Sequence, residues 1–242
     1  MATKLPPAAI LSGGLGTRIR AVAGSTPKVL LPVEGRPFLA HLLEYLSGQG
    51  VEKAVLCLGH GAPQIRDAAE THAPEGMTLI ESVEAEPLGT AGAVKLALGH
   101  LDDTFFLVNG DTFVEAPLAR LLELHRSRSA AVTLSLVRSD EVAEKGSVRI
   151  APDGRVLDFA EKTEGSSGLI NAGVYVVEPR VFEACPPGVS CSLERQIIPD
   201  LLSAENELVL GLIVEAPFVD IGLPEEYLRV RDQLPKSGGG RP

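Results

Sequence analysis

The sequence predicts an α/β fold in which helices cover both faces of one β-sheet. Short apolar runs alternate with longer segments of helical periodicity in the first half of the chain, as is typical of this class. The second half contains more strand-like runs. The chain has 242 residues, of which 45% are hydrophobic and 22% charged. It can therefore form one domain with a substantial core, and it does not have the composition of a disordered protein.

In the first half, strands and helices follow one another in order. The predicted strands are Ala8–Ser12, Ala54–Leu58, Thr78–Ser82 and Phe105–Asn109. Helices are predicted after Arg36, with Pro37 in the first turn, at Pro63–Thr71, at Thr90–Gly99 and after Pro117. Their apolar residues recur at spacings of three and four, which places them on one helical face.

Beyond Ser129 the pattern favours strands. We predict them at Ala130–Val137, Ser147–Ala151, Val156–Ala160, Ile170–Val177 and Glu207–Val214, with a hairpin turn at Asp153-Gly154. No low-complexity linker divides the halves. The sequence therefore predicts a single domain over residues 1–235 with a β-rich lobe, followed by a flexible glycine-rich tail over residues 236–242.

Charge and composition exclude several classes of function. The net charge of −10 argues against binding of long nucleic acids, which needs a broad basic face. The three cysteines and five histidines show no metal-binding spacing. No apolar run is long enough to span a membrane, and the N-terminus does not resemble a signal peptide. We therefore expect a cytoplasmic protein without nucleic-acid or membrane partners.

A glycine-rich segment after the first strand carries the clearest functional signal. It contains Leu11, Ser12, Gly13, Gly14, Gly16, Thr17 and Arg18, and Lys28 follows ten residues later. Glycines allow the backbone to approach a phosphate chain, and the two cations can neutralise it. A plain tight turn is the alternative. A dinucleotide fingerprint would need glycine where Ile19 stands, and the Gly-Lys-Ser/Thr of a P-loop is missing.

This segment and five later motifs resemble the sugar-1-phosphate nucleotidyltransferases, which join a nucleoside triphosphate and a sugar 1-phosphate into a nucleotide sugar. The later motifs are Pro87-Leu88-Gly89-Thr90-Ala91-Gly92, Asn109-Gly110-Asp111, Phe159-Ala160-Glu161-Lys162, Asn171-Ala172-Gly173-Val174-Tyr175 and Phe218-Val219-Asp220-Ile221-Gly222. The resemblance spans residues 8 to about 230 and implies a Rossmann-like three-layer α/β/α fold of the glycosyltransferase-A type with a mixed sheet. It is strongest to the D-glycero-α-D-manno-heptose-1-phosphate guanylyltransferases, with mannose-1-phosphate guanylyltransferases as the nearest alternative.

The resemblance also implies the roles of individual residues. Residues 1–128 would mainly bind the nucleotide and residues 129–235 the sugar phosphate. The catalytic residues would be Arg18, Lys28 and Asp111. The nucleotide-binding residues would be Leu11, Ser12, Gly13, Gly14, Gly16, Thr17, Arg18, Glu84, Gly89 and Thr90. The sugar-phosphate-binding residues would be Asn109, Gly146, Glu161, Lys162 and Asn171. Asp111 and Asp220 would hold Mg²⁺. Lys145 stands where many relatives carry tyrosine, so that wall of the sugar pocket departs from the family.

The base preference depends on Glu84. A carboxylate can accept two hydrogen bonds from the N1–H and amino group of guanine, whereas uracil and thymine offer one N–H between two carbonyls. This favours GTP. The alternative is that Glu84 faces solvent and that backbone groups select the base. A uridylyl- or thymidylyltransferase acting on another hexose 1-phosphate, a glycosyltransferase and a non-catalytic nucleotide-binding module also stay open. No heptad or repeat indicates an oligomer, although a homo-oligomer is allowed.

Overall fold

The computed structural model describes residues 4–14, 16–140, 147–160, 167–204 and 207–234. The strands within these ranges are β1 (Ala8–Leu11), β2 (Pro32–Val33), β3 (Arg36–Pro37), β4 (Lys53–Leu58), β5 (Thr78–Val83), β6 (Phe105–Asn109), β7 (Thr112–Val114), β8 (Val132–Ser139), β9 (Ser147–Ile150), β10 (Val156–Ala160), β11 (Gly168–Val177), β12 (Val209–Ile213) and β13 (Phe218–Asp220). The helices are α1 (Arg20–Ala23), α2 (Phe38–Gly48), α3 (Ala62–His72), α4 (Gly89–Ala97), α5 (Leu118–Ser127), α6 (Ile198–Ser203) and α7 (Pro224–Val230). Single 3-10 turns lie at Thr17–Ile19, Lys28–Leu30, Leu98–His100 and Pro179–Phe182, and a π-helical turn at Leu193–Ile197.

A mixed seven-stranded sheet forms the centre of the fold, in the order β12-β8-β11-β6-β1-β4-β5. Strands β1, β4, β5 and β6 are parallel, β11 runs antiparallel to both β6 and β8, and β12 is parallel to β8. The carboxyl ends of β1, β4, β5 and β6 therefore meet at one edge of the sheet, where α/β proteins bind their ligands.

Helices cover both faces of this sheet, which confirms the three-layer prediction. On one face, Ile10 of β1 packs in a cluster with Leu42 of α2 and Leu121 of α5. On the other face, Ala9 lies in a cluster with Val94 of α4 and Ile198. Successive strand residues thus point into different cores, as the two-residue period of a strand requires.

The β-rich second half contributes strands to the same central sheet as the first half. Three of its strands, β8, β11 and β12, extend the central sheet, and β11 pairs directly with β6 of the first half. The strands β9 and β10 form a separate antiparallel hairpin, whose turn contains the predicted Gly154 with a positive φ of 85°. The two halves therefore share one sheet.

A small hairpin was absent from the sequence prediction. Strands β2 and β3 pair through Val33 and Arg36, and Glu34 and Gly35 between them both have positive φ, 50° and 74°. Two such residues form the tight turn that suits a twisted hairpin. The prediction that Pro37 lies in the first turn of a helix was therefore wrong by one residue, because Pro37 ends β3 and α2 begins at Phe38.

Within the ranges described above, no helix combines the length and apolar character that crossing a bilayer requires.

A buried histidine joins the helix layer to the sheet. His125 of α5 lies with Nδ1 3.0 Å from Thr133 Oγ1 and Nε2 3.0 Å from Glu178 Oε1. Burial lowers the pKa of His125, and the hydrogen bond to Glu178 opposes this effect only in part. The folded protein therefore takes up the proton at a lower pH than the unfolded chain, whose histidine titrates near 6.5.

This difference predicts a loss of stability in mild acid. As the pH falls below about 6.5, His125 becomes protonated in the unfolded chain but stays neutral in the folded protein. The free energy of unfolding therefore decreases. We expect the melting temperature to fall between pH 7.5 and pH 5.5, and the fall to be smaller in His125→Gln. Thermal melts across this pH range measure both. An equal fall in the two proteins would show that other groups cause the acid sensitivity.

Candidate active site

The carboxyl ends of the parallel strands surround a cavity of about 560 Å³. The residues that line it are Leu11, Ser12, Gly13, Gly14, Gly16, Thr17, Arg18, Lys28, Val29, Glu84, Pro87, Gly89, Thr90, Ala93, Asn109, Gly110, Asp111, Glu194 and Gly222. Every residue expected to bind the nucleotide or to act in catalysis is among them, and so is Asn109. The structure thus brings together in one cavity residues that lie more than 90 positions apart in sequence.

The glycine-rich loop forms the floor of this cavity directly after β1. Gly16 has a left-handed φ of 57° and opens the 3-10 turn that carries Arg18. A Cβ atom on Gly13 would come within 3.0 Å of Glu84 Oε1 and 3.1 Å of the Gly59 nitrogen. Only glycine fits this approach without a shift of its neighbours. The hydroxyl of Ser12 is buried, and none of the residues that the structure describes forms a hydrogen bond with it.

Lys28 and Asp111 form an ion pair across the cavity. Lys28 Nζ donates to Asp111 Oδ2, and both side chains are largely buried, with 13% and 29% of their surface exposed. Asp111 follows β6 after Gly110, where a Cβ would lie only 2.3 Å from the carbonyl oxygen of Leu11. Gly110 therefore allows the two neighbouring strand ends to approach closely.

Asp220 reaches the same point from the far end of the chain. Strand β13 pairs with β7 so that Asp220 lies opposite Thr112, and the Ile221 amide donates to the Asp111 carbonyl at 2.9 Å. The Gly222 amide donates to Asp220 Oδ1 at 2.7 Å. A Cβ on Gly222 would lie 2.7 Å from Asp220 Oδ1, 3.0 Å from Lys28 Nζ and 3.6 Å from Asp111 Oδ2. The two carboxylates predicted to hold a metal therefore converge on one small space.

These carboxylates suit a hard divalent cation. In the part of the chain that the structure describes, no group of three or more His, Cys, Asp or Glu side chains could hold a metal. A pair of carboxylates is nevertheless what Mg²⁺ uses when substrate phosphates and water complete its shell. The side chains of Asp111 and Asp220 therefore fit Mg²⁺ bound together with a phosphorylated substrate, and they do not form a closed protein cage.

Glu84 lies at the other end of the cavity, one residue beyond β5. The Leu88 amide donates to Glu84 Oε2 at 3.0 Å, which closes the loop between β5 and α4. The second oxygen, Oε1, packs against the backbone of Gly13 and Gly59. Burial raises the pKa of Glu84, and the Leu88 hydrogen bond partly offsets this rise. The carboxylate is thus held in place at the cavity wall.

Asn109 and Asn171 have different surroundings. Asn109 lines the cavity, and its buried Oδ1 atom has no hydrogen-bond partner within the described ranges of the chain, as expected of an atom that accepts from a ligand. Asn171 is not among the lining residues. Its Nδ2 donates to Tyr175 Oη at 2.5 Å and its Oδ1 accepts from the Gly173 amide at 3.1 Å. Asn171 therefore stabilises the part of β11 where the pairing register with β8 shifts, and its role as a sugar ligand stays a prediction.

Three residues expected to bind the sugar phosphate, Gly146, Glu161 and Lys162, lie outside the described residues, as do Lys145 and the tail 236–242. By contrast, the structure adds Glu194 and Gly222 to the cavity. Gly222 belongs to a motif already noted in the sequence. Glu194 lies in no recognised motif, and only the tertiary contact between its π-helical turn and α4 brings it to the site.

Comparison with known proteins agrees with this geometry. The family model described as nucleotidyl transferase matches residues 7–237. The chain is 37% identical over 231 residues to a mannose-1-phosphate guanylyltransferase of Mycobacterium tuberculosis, covering 95% of this chain but 64% of that protein. It is 35% identical over 230 residues to a D-glycero-alpha-D-manno-heptose 1-phosphate guanylyltransferase of Aneurinibacillus thermoaerophilus, covering 94% and 97% of the two chains. The chain thus spans under two thirds of the first relative and nearly all of the second.

Solved structures give the same result. The crystal structure of HddC from Yersinia pseudotuberculosis complexed with GMP-PN superposes with a TM-score of 0.83 at 33% identity, covering 94% of this chain and 99% of that one. A putative glucose-1-phosphate thymidylyltransferase from Bacillus anthracis has a TM-score of 0.80 at 19% identity, covering 96% and 97%, which supports the fold alone. With the family model matched along almost the whole sequence, the chain belongs to the nucleotidyl transferase family.

Proposed function

We propose that this chain is a guanylyltransferase that joins GTP to a sugar 1-phosphate, preferentially D-glycero-α-D-manno-heptose 1-phosphate, and releases pyrophosphate. One observation carries the proposal. The glycine-rich loop and the ion pair of Lys28 with Asp111 meet at a single cavity, and the Asp220 carboxylate lies beside Gly222, which lines the same cavity. Together these groups can bind and neutralise the phosphates of two substrates at one place.

The reaction places a sugar phosphate oxygen in line with the α-phosphorus of GTP. Transfers of this kind depend on positioning and charge neutralisation, so they require no nucleophilic side chain. Arg18 and Lys28 would reduce the repulsion between the two anions and stabilise charge on the transferring group. The glycine-rich loop would hold the triphosphate through its amides. We infer that Asp111 and Asp220 hold Mg²⁺, which would supply further charge neutralisation at the phosphates.

Glu84 supports the choice of GTP. Its Oε2 atom is held by the Leu88 amide, and its Oε1 atom lies at the wall formed by Gly13 and Gly59. A carboxylate fixed in this way can accept hydrogen bonds from the edge of guanine, whereas the carbonyl groups of uracil and thymine would be repelled.

The test of this assignment is Glu84→Gln. Glutamine can still accept from the Leu88 amide, but it presents an N–H₂ group to a guanine edge that also donates. We expect kcat/KM for GTP to fall about 10- to 100-fold, while that for UTP changes less than about 3-fold. Glu86→Gln, which removes an exposed carboxylate from the same loop, is the matched control. An equal loss for GTP and UTP would mean that Glu84 only supports the loop.

Mannose 1-phosphate is the second candidate for the sugar substrate. The similarity to the Mycobacterium tuberculosis mannose-1-phosphate guanylyltransferase favours it, at 37% identity. The heptose is placed first because the two relatives named for it are covered over 97% and 96% of their length, whereas those named for mannose are covered over 64% or less. A single additional hydroxymethyl group distinguishes the two sugars, and such a group changes binding by only about 1–3 kcal/mol.

The deciding experiment measures pyrophosphate release in the presence of Mg²⁺. GTP, UTP, dTTP, CTP and ATP are each combined with the 1-phosphates of the heptose, mannose, glucose and N-acetylglucosamine. We expect the highest kcat/KM for the pair of GTP and the heptose 1-phosphate. UTP or dTTP with glucose 1-phosphate in first place would contradict both base and sugar. No turnover with any pair would favour a binding module. The cytoplasmic location and any homo-oligomer stay predictions from the sequence.

A further inference from the structure

Glu194 brings a carboxylate to the active-site cavity that the proposed chemistry does not yet use. It lies in the π-helical turn Leu193–Ile197, which packs beside the start of α4. Glu194 Oε2 accepts from Thr90 Oγ1 at 2.9 Å and from Ser192 Oγ at 3.4 Å, and Oε1 accepts from Tyr175 Oη at 3.3 Å. The side chain is therefore fixed by three neutral donors while it remains partly open to the cavity.

Among the residues that the structure describes, no lysine, arginine or histidine nitrogen forms an ion pair with Glu194, in contrast to Asp111, which pairs with Lys28. A carboxylate repels phosphate groups, so its described surroundings are unfavourable for the triphosphate. A neutral group that donates hydrogen bonds is the partner that suits it.

Asn109 provides a second acceptor beside it. The hydroxyl of Tyr175 is fully buried and lies within hydrogen-bonding reach of both Glu194 and the side chain of Asn109. The Asn109 Oδ1 atom forms no hydrogen bond with the described part of the chain. Two acceptors therefore lie around one tyrosine hydroxyl, two residues from the Asp111 carboxylate at the reacting end of the cavity. A sugar carries hydroxyl donors on neighbouring carbons, and its C1 phosphate must reach that reacting end.

We propose that Glu194 accepts a hydrogen bond from a ring hydroxyl of the sugar 1-phosphate and, together with Asn109, determines which sugar the enzyme selects. This inference rests on the proposed function. Thr90 of α4 and Tyr175 of β11 position the carboxylate. Glu194 therefore connects α4, which carries expected nucleotide-binding residues, with β11.

The test removes the Glu194 carboxylate, which is the acceptor, and the sugar hydroxyl groups, which are the possible donors, in separate experiments. Glu194→Gln and Glu194→Ala are assayed with GTP and mannose 1-phosphate, and with its 2-, 3-, 4- and 6-deoxy analogues. With wild-type enzyme, one analogue should lose about 10- to 100-fold in kcat/KM because the carboxylate loses its donor. In Glu194→Ala the same analogue should lose less than about 3-fold relative to mannose 1-phosphate, because the interaction is already missing. Glu194→Gln, which keeps one acceptor oxygen, should give an intermediate loss.

The KM for GTP distinguishes sugar recognition from general damage. It should stay within about 3-fold of wild type in both variants, because the phosphate-binding loop is intact. Glu183→Gln, which removes an exposed carboxylate directly after the 3-10 turn Pro179–Phe182, should behave as wild type with all sugars. Equal losses with every analogue in Glu194→Ala, or a large rise in the GTP KM, would overturn the inference and leave Glu194 a support for α4.

A direct binding measurement separates this inference from the proposed function. If wild-type enzyme releases no pyrophosphate with any pair, the proposed function fails. Saturation-transfer NMR with mannose 1-phosphate then tests whether Glu194 contributes to binding of the sugar phosphate. Binding by wild type that is lost in Glu194→Ala and kept in Glu183→Gln supports the assignment. Binding that is equal in wild type and Glu194→Ala, or no binding by wild type, overturns it.

Discussion

Asp111→Asn should reduce kcat for nucleotidyl transfer about 1000-fold, the largest effect expected of any single change in this chain. Loss of several kcal/mol of charge stabilisation at the phosphates corresponds to a loss of this size. Asparagine keeps the shape of the side chain and leaves the backbone pairing with Ile221 in place. The melting temperature should therefore change by no more than a few degrees.

The chain offers a matched control for this variant. Asp102 also pairs with a lysine, Lys53, at 3.2 Å, but it is exposed and lies near the opposite end of the parallel strands. Asp102→Asn should leave kcat unchanged. The dependence of turnover on Mg²⁺ concentration gives a second measure, since Asp111→Asn should need much more Mg²⁺ for half-maximal rate. An unchanged Mg²⁺ dependence and a kcat near that of wild type would remove Asp111 from the proposed metal site.

Lys28→Met should lower kcat about 100- to 1000-fold, since it removes a fixed positive charge from the place where two phosphorylated substrates meet. Methionine keeps most of the aliphatic stem that packs beside Gly16, so we expect the fold to persist. Loss of the cation leaves Asp111 and Asp220 facing each other, which should strengthen the binding of Mg²⁺ in the absence of substrate. Steady-state kinetics and calorimetric titration with Mg²⁺ measure the two effects.

Lys53→Met is the control for Lys28→Met, because Lys53 lies in the other lysine–aspartate pair. It should show wild-type kinetics. The double variant Lys28→Met with Asp111→Asn tests whether the pair acts as a unit. We expect its loss of kcat to be far smaller than the product of the two single losses, since interacting groups in one site are not additive. Full multiplication of the losses would contradict a shared role.

The local part of the fold could be predicted from the sequence. Strands such as Phe105–Asn109 and Val156–Ala160 were predicted with the bounds that the structure has, because their short length and the turn residues beside them distinguish a strand from a buried helix segment. The hairpin of β2 and β3 was missed because two-residue strands carry no periodic pattern, and it becomes visible only through the pairing of Val33 with Arg36 and the positive φ of Glu34 and Gly35.

The candidate site was predictable to the extent that its residues lie in motifs. The glycine-rich loop, Lys28 and Asp111 belong to short segments with a recognisable composition, and they do meet in the cavity. Glu194 lies 104 residues from its partner Thr90. Its position depends on how the π-helical turn packs on α4, and no local pattern encodes a contact of that kind.

The place of β6 in the sheet has a consequence for how this protein is made. Strand β6 carries Asn109 and lies between β1, which precedes it, and β11, which the ribosome adds much later. While the intervening residues are being synthesised, β6 can pair only on its β1 side, and its other edge stays open. An open apolar edge invites pairing with other chains. The nascent chain is therefore most exposed to aggregation in the interval before residues 168–177 emerge, which is when a chaperone that shields strand edges would have the greatest effect on yield.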